Sequence, residues 1–289
     1  MIETFLHPAD KAGVSLMSSK LREHSDTVCE TVVGRSILGE EIKAYIIGEG
    51  RRRVALFGAH HASESITCNL LFAFLHELAV RIKEMSPYEC MLVRHFSYVI
   101  VPCVNPDGIE IAMHGADTSP LREREEKMLM ESAAPWQANA RGVDLNHNYA
   151  FGFYEYKKLE EKMGIRAGAS LYSGEYPESE PESSACARLV RVLAPIGVLS
   201  LHSQGEEILY SRGEHLSRIA ERMSRLSGYT PSSPTGTAAY GGLCDYTSSL
   251  GIPSFTIEVG KGKNPLPISL TPSLFRRLYP LLLRFPTVL

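Results

Sequence analysis

The chain has 289 residues, 44% apolar and 22% charged, and its 30 basic and 33 acidic side chains give a formal net charge of −3. That balance excludes a disordered, collagenous or nucleic-acid-coating protein, and the pI of about 6.4 lies below the basic range of nucleic-acid-binding domains. A chain of this length can bury one large core, and no repeat, low-complexity tract or Pro/Gly/Ser linker divides it, so one domain over residues 1–289 is expected.

The first twenty residues lack the basic start and apolar run of a secretory signal, and a cytoplasmic location is expected. EIKAYIIG and RVALFGAH read as strands, and Glu64 to Met85 as a helix. Its greasy stretch ITCNLLFAFLHELAV is broken by Asn69, His76 and Glu77 and is too short to cross about 30 Å of hydrocarbon, so it reads as a buried helix and no membrane partner is expected. YVIVPCV is a strand, LREREEKMLMES a charged helix, and Trp136 to Tyr149 a long loop. There follow a helix from Glu182 to Leu193, the strands IGVLSLH and EEILYS, a helix from Glu214 to Leu226, the strand SFTIEV, and a C-terminal helix ending in LLLRF. Continuous apolar strands between helices predict an α/β fold whose mixed, largely parallel sheet is covered on both faces. The six cysteines form no CxxC pair and read as reduced thiols packed as small hydrophobes.

In such sheets ligands collect at the carboxyl ends of the strands, and several of these strands end in polar residues. RVALFGA leads into His60-His61, YVIVPCV into Asn105-Pro106-Asp107-Gly108, IGVLSL into His202-Ser203-Gln204, and SFTI into Glu258. Asn105 to Gly108 carries a turn signal, and Ser179-Glu180-Pro181-Glu182 has capping-box spacing with Pro in the first helical turn. His61 and Glu64 stand three residues apart where strand turns to helix, and both can grip one cation. Chance supplies about one HxxE in a chain of this composition, so the pair alone says little. His202, capping a distant apolar strand, offers the third ligand that a catalytic zinc requires while leaving one position open. Two imidazoles and a carboxylate suit zinc better than magnesium or calcium, which prefer oxygen.

In order, the motifs GAHHASE, VNPDG, NARGVDLNHN, PESEPES, SLHSQGE and FTIEVGKG resemble the zinc carboxypeptidase family over core residues 54–262, and most closely its bacterial γ-D-glutamyl-diaminopimelate peptidase I branch. The resemblance implies a zinc-dependent hydrolase of peptides or muropeptides, with His61, Glu64 and His202 as metal ligands and Glu258 as the catalytic carboxylate. It further implies that Asp144 orients the first zinc histidine and that Arg141 faces the oxyanion. Asn146 and His147 stand where relatives carry Asn-Arg for the substrate's terminal carboxylate, and a histidine cannot form that bidentate pair. Tyr240, before Gly241 and Gly242, falls in the place of the family's mobile tyrosine loop. Rival readings are a carboxypeptidase of other peptides, an N-acyl amino acid deacylase, and a catalytically silent peptide-binding module.

Overall fold

The computed structural model describes residues 5–24, 26–116, 119–131, 134–211 and 213–289. Its centre is one eight-stranded sheet of β1 (Val28–Arg35), β2 (Glu41–Ile47), β3 (Arg52–Phe57), β4 (Phe96–Val101), β5 (Gly197–His202), β6 (Glu207–Tyr210), β7 (Thr230–Ser232) and β8 (Ser254–Glu258), in the order β1-β2-β4-β3-β5-β8-β6-β7. The four middle strands β4, β3, β5 and β8 run parallel, while β1/β2, β2/β4 and β6/β8 pair antiparallel. This is the mixed, largely parallel sheet expected from the apolar runs.

Every residue of β4 and β5 is buried, as strands covered on both faces must be. Alternate residues of β3 feed different layers: Val54 and Leu56 join the larger core, and Ala55 and Phe57 the smaller. Helices α1 (Lys11–Arg22), α2 (Ile66–Lys83), α3 (Pro87–His95), α8 (Glu214–Ser227) and α10 (Thr271–Val288) contribute to the larger core; α7 (Pro181–Leu193) and α9 (Leu243–Ser249) contribute to the smaller. The remaining helices are α4 (Pro106–His114), α5 (Arg122–Met130) and α6 (Phe153–Met163). None of the described helices is long and apolar enough to cross a membrane. All six cysteines are free.

Some expectations need correction. The segment from Asn105 to Gly108 is the start of α4 rather than a turn: the Asn105 side chain caps the Gly108 N–H at 2.9 Å and Pro106 occupies the first helical position, where its missing N–H costs nothing. The capping box at Ser179 does not form, because Glu180 is the capping residue and makes no side-chain bond to the helix end. The helix expected from Glu64 begins at Ile66, after a short 3-10 turn over Ala62–Glu64.

Candidate active site

The parallel strands β3, β5 and β8 deliver the functional side chains to one sheet edge. After β3 the chain turns through Ala59 at φ 52, a strained left-handed conformation held by the Thr67 hydroxyl on its N–H at 2.8 Å and by the Asn105 N–H on its carbonyl at 3.0 Å. That turn presents His60 and His61. His202 ends β5 and is in register with Glu258 of β8, so both side chains leave the same face of the sheet.

His61 Nδ1 lies 3.0 Å from Glu64 Oε1, His202 Nδ1 lies 3.0 Å from Glu64 Oε2, and the two Nδ1 atoms are 3.2 Å apart. Donors about 2.1 Å from one tetrahedral ion stand roughly 3.4 Å from each other, so this spacing fits zinc. The three form a His-Glu-His group able to hold a metal ion. The electrostatics agree with the geometry. Burial alone would raise the Glu64 carboxyl, but the charges of His61 and His202 outweigh it and hold the group down at about 2. Burial would likewise lower His61, yet Glu64 and Asp144 drive it well above its ordinary value: the site demands positive charge at its centre.

Around the three ligands runs a ring of orienting contacts. Asp144 Oδ1 meets His61 Nε2 at 3.1 Å, while its Oδ2 accepts the Leu171 N–H at 3.1 Å. Such an outer carboxylate fixes the tautomer and plane of a ligating imidazole. Glu64 Oε2 accepts the Ser203 N–H at 3.1 Å. Asn264, which sequence reading missed, bridges Ser203 and Glu64: its Nδ2 donates to the Ser203 carbonyl at 2.6 Å and to Glu64 Oε1 at 3.4 Å. The peptide bonds Ser203–Gln204 and Asn264–Pro265 are cis.

A cleft of about 180 Å³ opens over this cluster, lined by His61, Asp144, His202 and Glu258, and further out by Asn146, His147 and Asp245. Burial, reinforced by the charge of Glu64 and opposed by that of His61, pushes the Glu258 carboxyl up to about 8. Asn146 Oδ1 accepts the Leu243 N–H at 3.2 Å. His147 stacks on Tyr156 with centroids 3.8 Å apart and shares Nδ1 with the Tyr240 carbonyl at 3.0 Å. Two expected residues are not brought in. Tyr240 meets His147 through its backbone and its 40% exposed side chain is not part of the cleft lining. Arg141 lines a separate cavity with Arg124 and Tyr172, where Nε is 2.9 Å from Glu180 Oε2 and Nη2 is 3.1 Å from the Ser179 carbonyl. A buried carboxylate has claimed the guanidinium that the sequence motif assigned to the oxyanion. Gln137 and Thr256 line the cleft without any local signal that marked them.

The profile of the family described as zinc carboxypeptidase matches residues 14–275. The chain belongs to the zinc carboxypeptidase family. Gamma-D-glutamyl-L-diamino acid endopeptidase 1 of Lysinibacillus sphaericus is 31% identical over 256 residues, covering 83% of this chain and 62% of that protein. Murein peptide amidase A of Escherichia coli K12 is 26% identical over 178 residues, 58% of this chain and 57% of its own length. The chain thus spans about three fifths of these curated relatives. Among solved structures, bovine thrombin-activatable fibrinolysis inhibitor superposes with a TM-score of 0.77 at 21% identity, covering 98% of this chain and 97% of that one. The murein-tripeptide amidase of Escherichia coli O157 gives 0.57 at 20% identity, with 88% and 91% covered. At such identities the superpositions establish the fold alone.

Proposed function

We propose that this protein is a metallopeptidase that hydrolyses the γ-D-glutamyl bond to the diamino acid of peptidoglycan stem peptides, with one zinc held by His61 Nδ1, Glu64 and His202 Nδ1. The observation that carries the catalytic part is the convergence of those three donors, with Glu258 in register beside His202 and His61, His202 and Glu258 lining one cleft. The substrate class is supported by likeness to the Lysinibacillus endopeptidase and the Escherichia amidase.

When bound, zinc supplies a Lewis acid that polarises the scissile carbonyl and acidifies water. The chain's residues do the rest. Glu258 takes the proton that the attacking water gives up and returns it to the departing amine nitrogen as the C–N bond breaks. Asp144 keeps His61 in register, and Asn146 and His147 form the cleft wall that the amine side of the substrate meets. With Arg141 tied to Glu180, it has no part in this scheme.

Zinc content of the purified protein, followed by mass spectrometry of L-alanyl-γ-D-glutamyl-diaminopimelate and L-alanyl-γ-D-glutamyl-lysine peptides, tests the proposal. Release of the diamino acid fragment is expected. Cleavage of N-acetyl amino acids with the stem peptides untouched replaces it with the deacylase reading, and zinc bound without hydrolysis of either replaces it with the binding module.

A further inference from the structure

The two candidate histidine ligands are held in place by different means. His61 has both ring nitrogens engaged, Nδ1 toward Glu64 and Nε2 toward Asp144. His202 turns Nδ1 to the same centre, but its Nε2 is buried and has no hydrogen-bond partner among the described residues. Ligating imidazoles ordinarily give their second nitrogen to a carboxylate, a carbonyl or water, and that bond fixes the ring plane. The protein contacts on the His202 ring are instead those of its neighbouring rings.

His60 lies against it. The two rings are 19° from parallel with centroids 5.7 Å apart, while His61 meets His202 edge-on at 4.7 Å. His60 is completely buried and, unlike His202, is tied at both nitrogens: Nε2 is 2.8 Å from the Tyr149 hydroxyl and Nδ1 is 3.5 Å from Ser200 Oγ. Its carbonyl accepts from Asn105 Nδ2 at 3.1 Å. Ser200 stands two residues before His202 on β5, on the same face of the strand, so the element that carries the ligand also anchors the ring beside it.

We infer that His60 is a positioning residue whose ring, tethered to Tyr149 and Ser200, sets the plane of His202 and aims its Nδ1 at the metal. It does by ring contact what Asp144 does for His61 by hydrogen bond. The inference deepens the proposed function and rests on His202 being a zinc ligand, while being independent of the substrate.

The test measures zinc affinity by chelator competition and the visible spectrum of the cobalt-substituted protein, in wild type, His60→Ala, His60→Phe and Tyr149→Phe. Outer residues that orient metal ligands are worth about 10- to 100-fold in affinity, so His60→Ala is expected to loosen zinc by that factor and to shift the cobalt bands. His60→Phe keeps a ring plate and falls between wild type and Ala; Tyr149→Phe, which cuts the tether along with a contact to the Cys186 thiol, moves both readouts the same way by less. Wild-type zinc affinity and unchanged cobalt bands in His60→Ala overturn the inference, even if that variant unfolds more readily. Should His60→Ala fail to fold, the same null result in Tyr149→Phe overturns it. Wild type that binds no zinc removes the ligand set itself, and the inference with it.

Discussion

At one end of the segment 139–148, Asp144 and the neighbouring Glu64 sit among imidazoles; at the other, Asn139 and Arg141 meet Glu180 and Glu182. Both clusters are buried and rich in carboxylate, yet Glu64 and Asp144 in the one shift in the opposite direction from Glu182 in the other. Burial disfavours charge in each. Around Glu64 and Asp144 the charges of the histidines overcome it, and both carboxyls are held below their usual range. Among the described residues Glu182 is held by neutral donors. Its Oε1 accepts the Ile37 N–H at 3.1 Å and its Oε2 the Asn139 amide at 3.3 Å, and burial, with Glu180 and Asp107 adding their charges, pushes it up to about 7. The first arrangement calls for a cation and the second for a proton, which separates a candidate metal site from a structural clasp that grips the β1–β2 connection.

The strongest way to break this contrast is to remove a ligand. Glu64→Ala should lose stoichiometric zinc and with it all measurable hydrolysis, whereas a protein that keeps zinc after this change has its metal elsewhere. Glu258→Gln should retain zinc but lose about 10³-fold in kcat, the scale of a general acid–base group. Near-normal turnover in that variant takes Glu258 out of the chemistry.

The clasp gives a test in the opposite sense. Because the folded-state pKa of Glu182, about 7, lies above its ordinary 4.5, the folded protein binds the proton more tightly than the unfolded chain does. The stability this group contributes is therefore full below about pH 4.5, falls as pH rises toward 7, and is gone above it, a loss on the order of 3 kcal/mol. Urea unfolding midpoints measured from pH 5 to 8 should fall less steeply in Glu182→Gln than in wild type. Parallel pH profiles would show that Glu182 is ionised in the fold. At the metal end, Asp144→Asn should weaken zinc by about 10- to 100-fold without that pH signature.

The legible part of this molecule was the part governed by continuous burial. β3, β5 and β8 are apolar runs that stop at polar residues, and the sheet puts those stops together, so His61, Glu64, His202 and Glu258 could be grouped before any coordinates. Edge elements left weaker marks. β1, VCETVVGR, is half exposed and carries no apolar run, and α4 hid behind Asn-Pro-Asp-Gly because an N-cap followed by Pro uses the same residues as a turn. Contacts across long stretches of chain left none: Asn264 reaches Glu64 from 200 residues away, and the unbonded Nε2 of His202 is a property of packing alone.

Arg141 offers the finest test, since a motif fixes the residue type while the fold decides where the side chain goes. Glu180, 39 residues further on, is almost wholly buried, and its Oε2 takes both Arg141 Nε and Asn139 Nδ2. Releasing the guanidinium toward the cleft would break the ion pair of a buried carboxylate with a partly exposed arginine, a penalty of about 1–3 kcal/mol. Removing a genuine oxyanion donor costs about 10²- to 10³-fold in kcat. Arg141→Met is therefore expected to lower the unfolding midpoint while changing kcat by less than about tenfold, the effect of a clasp residue rather than a donor. A fall of 10²-fold or more in kcat with KM and stability intact would show that substrate binding breaks the Glu180 pair and draws Arg141 across to the metal side, and the two clusters would then have to be treated as one machine.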